Sequence, residues 1–139
     1  CMRGLTVART RSIGRQVMHT IDDVSAIGET VNAFFAGMHT GDTERLRLAF
    51  HPAANLFGYY MGDFCQQSLG DWMEEVQSSP KPSESGEPFD MRIVAIDLTG
   101  RVATVKTAAL YQGLRFTDYL TLAKIEDHWK IVNKAYHHD

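Results

Sequence analysis

The chain has 139 residues, 44% of them hydrophobic and 22% charged, with a formal net charge of −3. That is the makeup of one globular domain able to bury a core without disulfide or metal staples. Arg3, Arg9, Arg11 and Arg15 crowd the start, and setting them aside leaves 10 basic against 17 acidic residues. An acidic body disfavours nucleic acid as a partner, because phosphate recognition needs concentrated Lys and Arg. No apolar run reaches the roughly 18 residues that span a bilayer, so no membrane partner is expected and the chain reads as soluble and cytoplasmic.

Residues 1–20 read as a basic leader apart from the fold, and residues 21–139 as a single domain. The leader is compatible with a nucleic-acid arm, a targeting segment or a foreign extension. Cys1 and Cys65 stand at no metal-like spacing and are expected to be reduced. From Asp22 the pattern turns helical, with Val24, Ile27, Val31, Phe34, Phe35 and Met38 recurring at three- and four-residue intervals. Asp22 or Asp23 offers an N-cap, and Gly41 a C-terminal stop. Asp42 or Thr43 then caps a short helix, "TERLRLAF", with Leu46, Ala49 and Phe50 facing inward and Pro52 ending it. The aromatic run "ANLFGYYMG" predicts a strand with a bend at Gly58. After the connecting "DFCQQ", Ser68 caps a third helix that buries Leu69, Trp72, Met73 and Val76.

The stretch from Ser78 to Pro88 reads as a surface loop. Four strand-like runs follow, "FDMRIVAIDL", "RVATVKTAALYQ", "LRFTDYLTLAKIE" and "HWKIVNKAYHH", separated by hairpin-length turns. Helices grouped before an antiparallel meander argue an α+β fold, with helices on one face of a curved sheet. Period-two counting puts Phe116, Asp118, Leu120 and Leu122 on one face, and Thr117, Tyr119, Thr121, Ala123 and Ile125 on the other. Neither face is plainly polar, which predicts helices on one side and a partner subunit or a loop on the other.

The same counting along the last strand groups Asn133 and His137 with Trp129 and Ile131, opposite Lys130, Val132, Lys134 and Tyr136. Asp118 stands out as a carboxylate among apolar neighbours; burial raises its pKa unless it finds hydrogen bonds, and Asn133 or Lys134 on the next strand is within reach as a partner. A single polar group on an apolar strand face is more often a satisfied structural residue than a catalyst. Trp72 and Trp129 read first as core, and His51 before Pro52 fits the negative end of a helix. No Gly-rich phosphate loop, H-E-x-x-H, Cys-x-x-Cys or G-x-S-x-G motif is present, and no cofactor or metal is expected.

The segments F-H-P (Phe50 to Pro52), F-T-D-Y-L (Phe116 to Leu120) and W-K-I-V-N-K (Trp129 to Lys134), with the separated Trp72, together resemble the nuclear transport factor 2-like superfamily and, within it, the bacterial putative lumazine-binding protein group. The resemblance spans Asp22 to His137. It implies a cone of three N-terminal helices over a strongly curved, mostly antiparallel sheet, a pocket between them, and a homodimer through the outer sheet face. The superfamily holds both enzymes and binding domains, so fold alone does not decide function. The candidate pocket is His51, Phe57, Tyr59, Trp72, Asp118, Asn133 and His137, with Asp118 and His51 for proton transfer. Two functions follow. One is binding of a partly aromatic, pterin- or lumazine-like organic ligand; the alternative is a cofactor-free isomerase, dehydratase or cyclase using Asp/His acid–base chemistry.

Overall fold

In the computed structural model, which describes the backbone from Ile13 and side chains from Asp22 onward to Asp139, the helices α1 (Ile13–Thr40), α2 (Thr43–Ala49) and α3 (Leu69–Ser78) pack on six strands. The strands are β1 (Phe50–Tyr60), β2 (Asp63–Ser68), β3 (Met91–Thr99), β4 (Val102–Tyr111), β5 (Leu114–Ile125) and β6 (His128–His138). They form one curved, unclosed sheet in the order β2-β1-β6-β5-β4-β3. Only β1 and β6 run parallel; the other neighbours are antiparallel, so β3 to β6 are the expected meander.

The expected leader falls largely outside the described residues. Helix α1 already includes Asp22 and Asp23, so neither caps its start. Asp23 instead accepts hydrogen bonds from Lys124 Nζ at 2.9 Å and Trp129 Nε1 at 3.1 Å, pinning the helix to the β5–β6 hairpin. The apolar stripe of α1 begins at Ile27 and continues through Val31, Phe34, Phe35 and Met38, all buried, whereas Val24 is exposed. The helix ends in a Schellman motif: Gly41 takes φ +67, its N–H reaches the Met38 carbonyl, and the Asp42 N–H reaches the Gly37 carbonyl. The Asp42 carboxylate then caps α2 by accepting from the Arg45 N–H at 3.1 Å. Ser68 caps α3 in the same way, accepting from the Asp71 N–H.

Each fully buried side chain of this size contributes about 1.5–3 kcal/mol. The core of α1 and α3 therefore fixes the helical layer firmly over the sheet. Helix α2 stops at Ala49, and β1 starts at once with Phe50 rather than after Pro52. Pro52 is tolerated because β1 is irregular between Phe50 and Asn55, where the pairing with β6 shifts register. The segment "DFCQQS" is a strand, β2, that sequence reading treated as a connection. It folds back on β1 through Met61 and Gly62, both at positive φ, as a two-residue hairpin turn of the primed type requires.

Candidate functional site

Between the helices and the inner face of the sheet lies a cavity of about 540 Å³. Its apolar walls include Met38, Leu56, Trp72, Val76 and Phe116, and its polar ones include Gln67, Glu75, Tyr111, Asp118, Lys134 and Tyr136. Two of the polar groups are buried and oppositely charged. Asp118 is 2% exposed and Lys134 7%, and their Nζ and Oδ2 atoms stand 3.7 Å apart, an ion pair looser than a hydrogen bond.

Regular alternation on β5 points Asp118 inward between Phe116 and Leu120. Lys134 is opposite Leu120 on β6, one step from Tyr136, the register partner of Asp118. What brings Lys134 inward is a bulge. Thr121 pairs with Asn133 and Leu122 with Ile131, which leaves Val132 as an extra residue on β6. A one-residue insertion moves every later side chain to the opposite face. Trp129 and Ile131 are thus inward, and beyond the bulge Lys134 and Tyr136 are inward as well.

This corrects the expectation for the last strand. Asn133 and His137 do not share the face of Trp129 and Ile131, and neither lines the cavity. His137 is exposed and packs edgewise on Tyr59 at 6.3 Å. Tyr59 and Phe57 are likewise absent from the wall, and both contact Phe64. His51 sits at the irregular start of β1, where its Nδ1 accepts from the Ala53 N–H at 3.0 Å. That bond stabilises a bend and leaves His51 away from the cavity. Of the seven candidates, Trp72 and Asp118 are the two brought together there. His138, the neighbour of His137, accepts from the Met61 N–H at 2.9 Å and packs on Phe116, one of the cavity's wall residues.

Lys134 stands in an aromatic box. Its Nζ lies 4.4 Å from the centroid of Trp72, 5.2 Å from Phe34 and 5.4 Å from Tyr136. Such ring faces favour a cation by roughly 0.5–2 kcal/mol, against a burial cost of several kcal/mol per ion. Burial wins: it lowers the Lys134 pKa from the usual lysine range, with the Asp118 carboxylate opposing. Burial likewise raises the Asp118 carboxyl above the usual range, opposed by Lys134. The two shifts converge, which eases proton transfer between the pair. Among the described residues, Asp118 Oδ1 has no hydrogen-bond partner, and neither has the hydroxyl of buried Thr107, the residue opposite Asp118 on β4.

Two phenols complete the polar wall. Burial first, then the Cys65 sulfur, pushes Tyr136 up to about 12, and burial raises Tyr111 as well. Both remain protonated donors at neutral pH. Tyr136 needs Gly58 beneath it: a Cβ at that position would meet the Tyr136 ring and carbonyl at 2.5 Å. Of the two partners expected for Asp118, Lys134 and not Asn133 is the one that pairs with it, and Tyr111 and Tyr136 join the wall without having been singled out from the sequence.

Comparison with known proteins agrees with this architecture. The chain is 28% identical over 120 residues to aldolase FrzH from Cladobotryum sp, covering 85% of this chain and 93% of the aldolase. Among solved structures, an NTF2-like protein of unknown function from Methylobacillus flagellatus KT superposes with a TM-score of 0.77 at 28% identity, covering 86% of this chain and 94% of that one. A second, from Shewanella baltica OS155, gives 0.77 at 26% identity, with 86% and 95% covered. The family model described as "Putative lumazine-binding" matches residues 22–137. With its helices over a curved sheet and its cavity between them, the chain belongs to that family, within the nuclear transport factor 2-like superfamily.

Proposed function

We propose that the cavity binds a small, partly aromatic organic molecule bearing carbonyl groups, for which a pterin- or lumazine-like heterocycle is the form the family description suggests. The observation that carries this reading is the cavity of about 540 Å³. It falls within the size range of small-molecule sites and combines apolar walls with a few convergent polar groups. Trp72 offers a ring face, while Lys134, Tyr111 and Tyr136 offer donors to carbonyl oxygens. Titration of tryptophan fluorescence with lumazine, pterin, riboflavin and aromatic keto acids tests it. Saturable quenching by at least one, weakened in Trp72→Leu, is expected; no saturable change with any of them at micromolar concentration contradicts it.

A second reading, a cofactor-free enzyme, is favoured by the buried Asp118–Lys134 pair and by the similarity to an aldolase. In this reading Asp118 is the general base that removes a proton beside a carbonyl, and Lys134, in place of His51, is the acid that supports the developing oxyanion. Isomerisation, dehydration, cyclisation and aldol addition all pass through that step. Both readings include a second copy of the chain on the outer sheet face, where Tyr59 and Tyr119 are each half exposed and Val102 is exposed.

A further inference from the structure

We propose that Lys134 is a covalent catalyst, a buried primary amine that forms a Schiff base with an aldehyde or ketone held in the cavity. The proposal rests on the second reading above, that the site acts on carbonyl compounds, and goes further by making the lysine the nucleophile instead of a proton donor. Three features of the geometry carry it. Lys134 lines the cavity yet is almost wholly withdrawn from water. Its nearest anion is a single carboxylate at 3.7 Å, loose enough to release the amine. The ring faces of Trp72, Phe34 and Tyr136 also surround Nζ and stabilise positive charge there without occupying its lone pair, while Glu75, a second carboxylate on the cavity wall, acts on it from beyond ion-pair distance. A protonated Schiff base places its charge at that same nitrogen, so the box that holds an ammonium also holds the iminium.

The steps balance with the groups present. Asp118 first takes a proton from the Lys134 ammonium, leaving a neutral amine; desolvation is one of the established ways to activate a lysine. The Nζ lone pair attacks the carbonyl carbon, forming a C–N bond as the C=O π pair moves to oxygen, and one Nζ proton passes to that oxygen to give the neutral carbinolamine. Asp118 returns its proton to the hydroxyl, which leaves as water as the C–O bond breaks, and the iminium remains. The carboxylate so regenerated is positioned to remove a proton from the adjacent carbon, giving an enamine. The unpartnered Oδ1 of Asp118 is the atom available for that second transfer. The enamine adds to an acceptor carbonyl, forming a C–C bond and an iminium while Asp118 gives its proton to the acceptor oxygen; one water then hydrolyses the iminium, releasing the product ketone or aldehyde and restoring the Lys134 ammonium.

The remaining lysines are built differently. Lys124 is bonded to Asp23, Lys130 to the Leu48 carbonyl, Lys106 lies over Tyr119, and Lys81 is exposed. They serve as internal controls. The test incubates the whole chain with phenylacetone and sodium cyanoborohydride near neutral pH and maps the reduced adduct by peptide mass spectrometry. Exchange of the probe's benzylic protons for deuterium is followed in a parallel sample without reductant. The expected result is a single adduct concentrated at Lys134, lost in Lys134→Arg, which retains a cation. Label spread over Lys81, Lys106, Lys124 and Lys130 with none at Lys134 overturns the proposal. Deuterium exchange above the buffer rate without an adduct overturns the covalent step alone and leaves Asp118 acid–base chemistry standing. Neither exchange nor adduct overturns both. Circular dichroism of Lys134→Arg guards against misfolding, and Lys134→Met, which keeps the chain length without the amine, must also lose the adduct.

Discussion

At the scale of single residues, the Asp118–Lys134 pair is expensive to keep for stability alone. Replacing a buried ion pair by well-packed neutral groups is often neutral or stabilising, whereas removing one partner costs about 3–5 kcal/mol. Lys134→Met should therefore lower stability by about 3 kcal/mol, and the double variant Asp118→Asn with Lys134→Met should recover most of that loss, as urea denaturation would report. The pH dependence of the single variant has a definite sign. Burial raises the Asp118 pKa in the folded state, and the lysine that opposes the rise is gone. Folding then takes up a proton at Asp118, so its contribution is complete below the ordinary carboxylate value of about 3.9 and is lost as pH rises through the raised value. Lys134→Met should be more stable in mildly acidic than in neutral buffer, and the double variant should lack that slope.

Elements, more than individual side chains, decide which residues meet in the cavity. The bulge at Val132 exchanges Asn133 and His137 for Lys134 and Tyr136, and it marks the limit of what was legible in the sequence. The three helices, most of their inward residues, the caps of α2 and α3, the meander and the inward face of β5 could be read from periodicity and capping residues, because those stretches keep a constant phase; Val24, exposed on α1, and Asp22 and Asp23, inside that helix, could not. β6 does not, and counting by twos across an unrecognised insertion misplaces everything after it. Likewise β2 could not be told from a loop: at the sheet edge it buries no residue, so "DFCQQS" carries no apolar–polar alternation to identify a strand. Gly58 ties these elements together, since β1 passes close enough to Tyr136 that no side chain fits between them. Gly58→Ala should cost about 1–3 kcal/mol through overpacking. It should also displace Tyr136 and weaken ligand binding, an effect that calorimetric titration of wild type and variant would separate from the loss of stability.

The whole molecule has a helical layer on the inner face of the sheet and an outer face that carries Tyr59, Tyr119 and Val102 exposed to solvent. If a second copy covers this face, Tyr119→Glu should halve the mass seen by light scattering while leaving cavity binding intact, because Tyr119 points away from the cavity. Among the described residues no helix is long and apolar enough to cross a membrane. The buried pair lies at the deep side of a cavity walled by helices and sheet together, so site and fold depend on the same packing. Catalysis in this cavity requires that Asp118 handle protons of a bound carbonyl compound. The most direct measurement is NMR detection of deuterium uptake at the benzylic carbon of phenylacetone, comparing wild type with Asp118→Asn. Exchange above the buffer rate that falls by about 10²-fold or more in the variant is the predicted result; equal exchange in both proteins, or none above buffer, contradicts it.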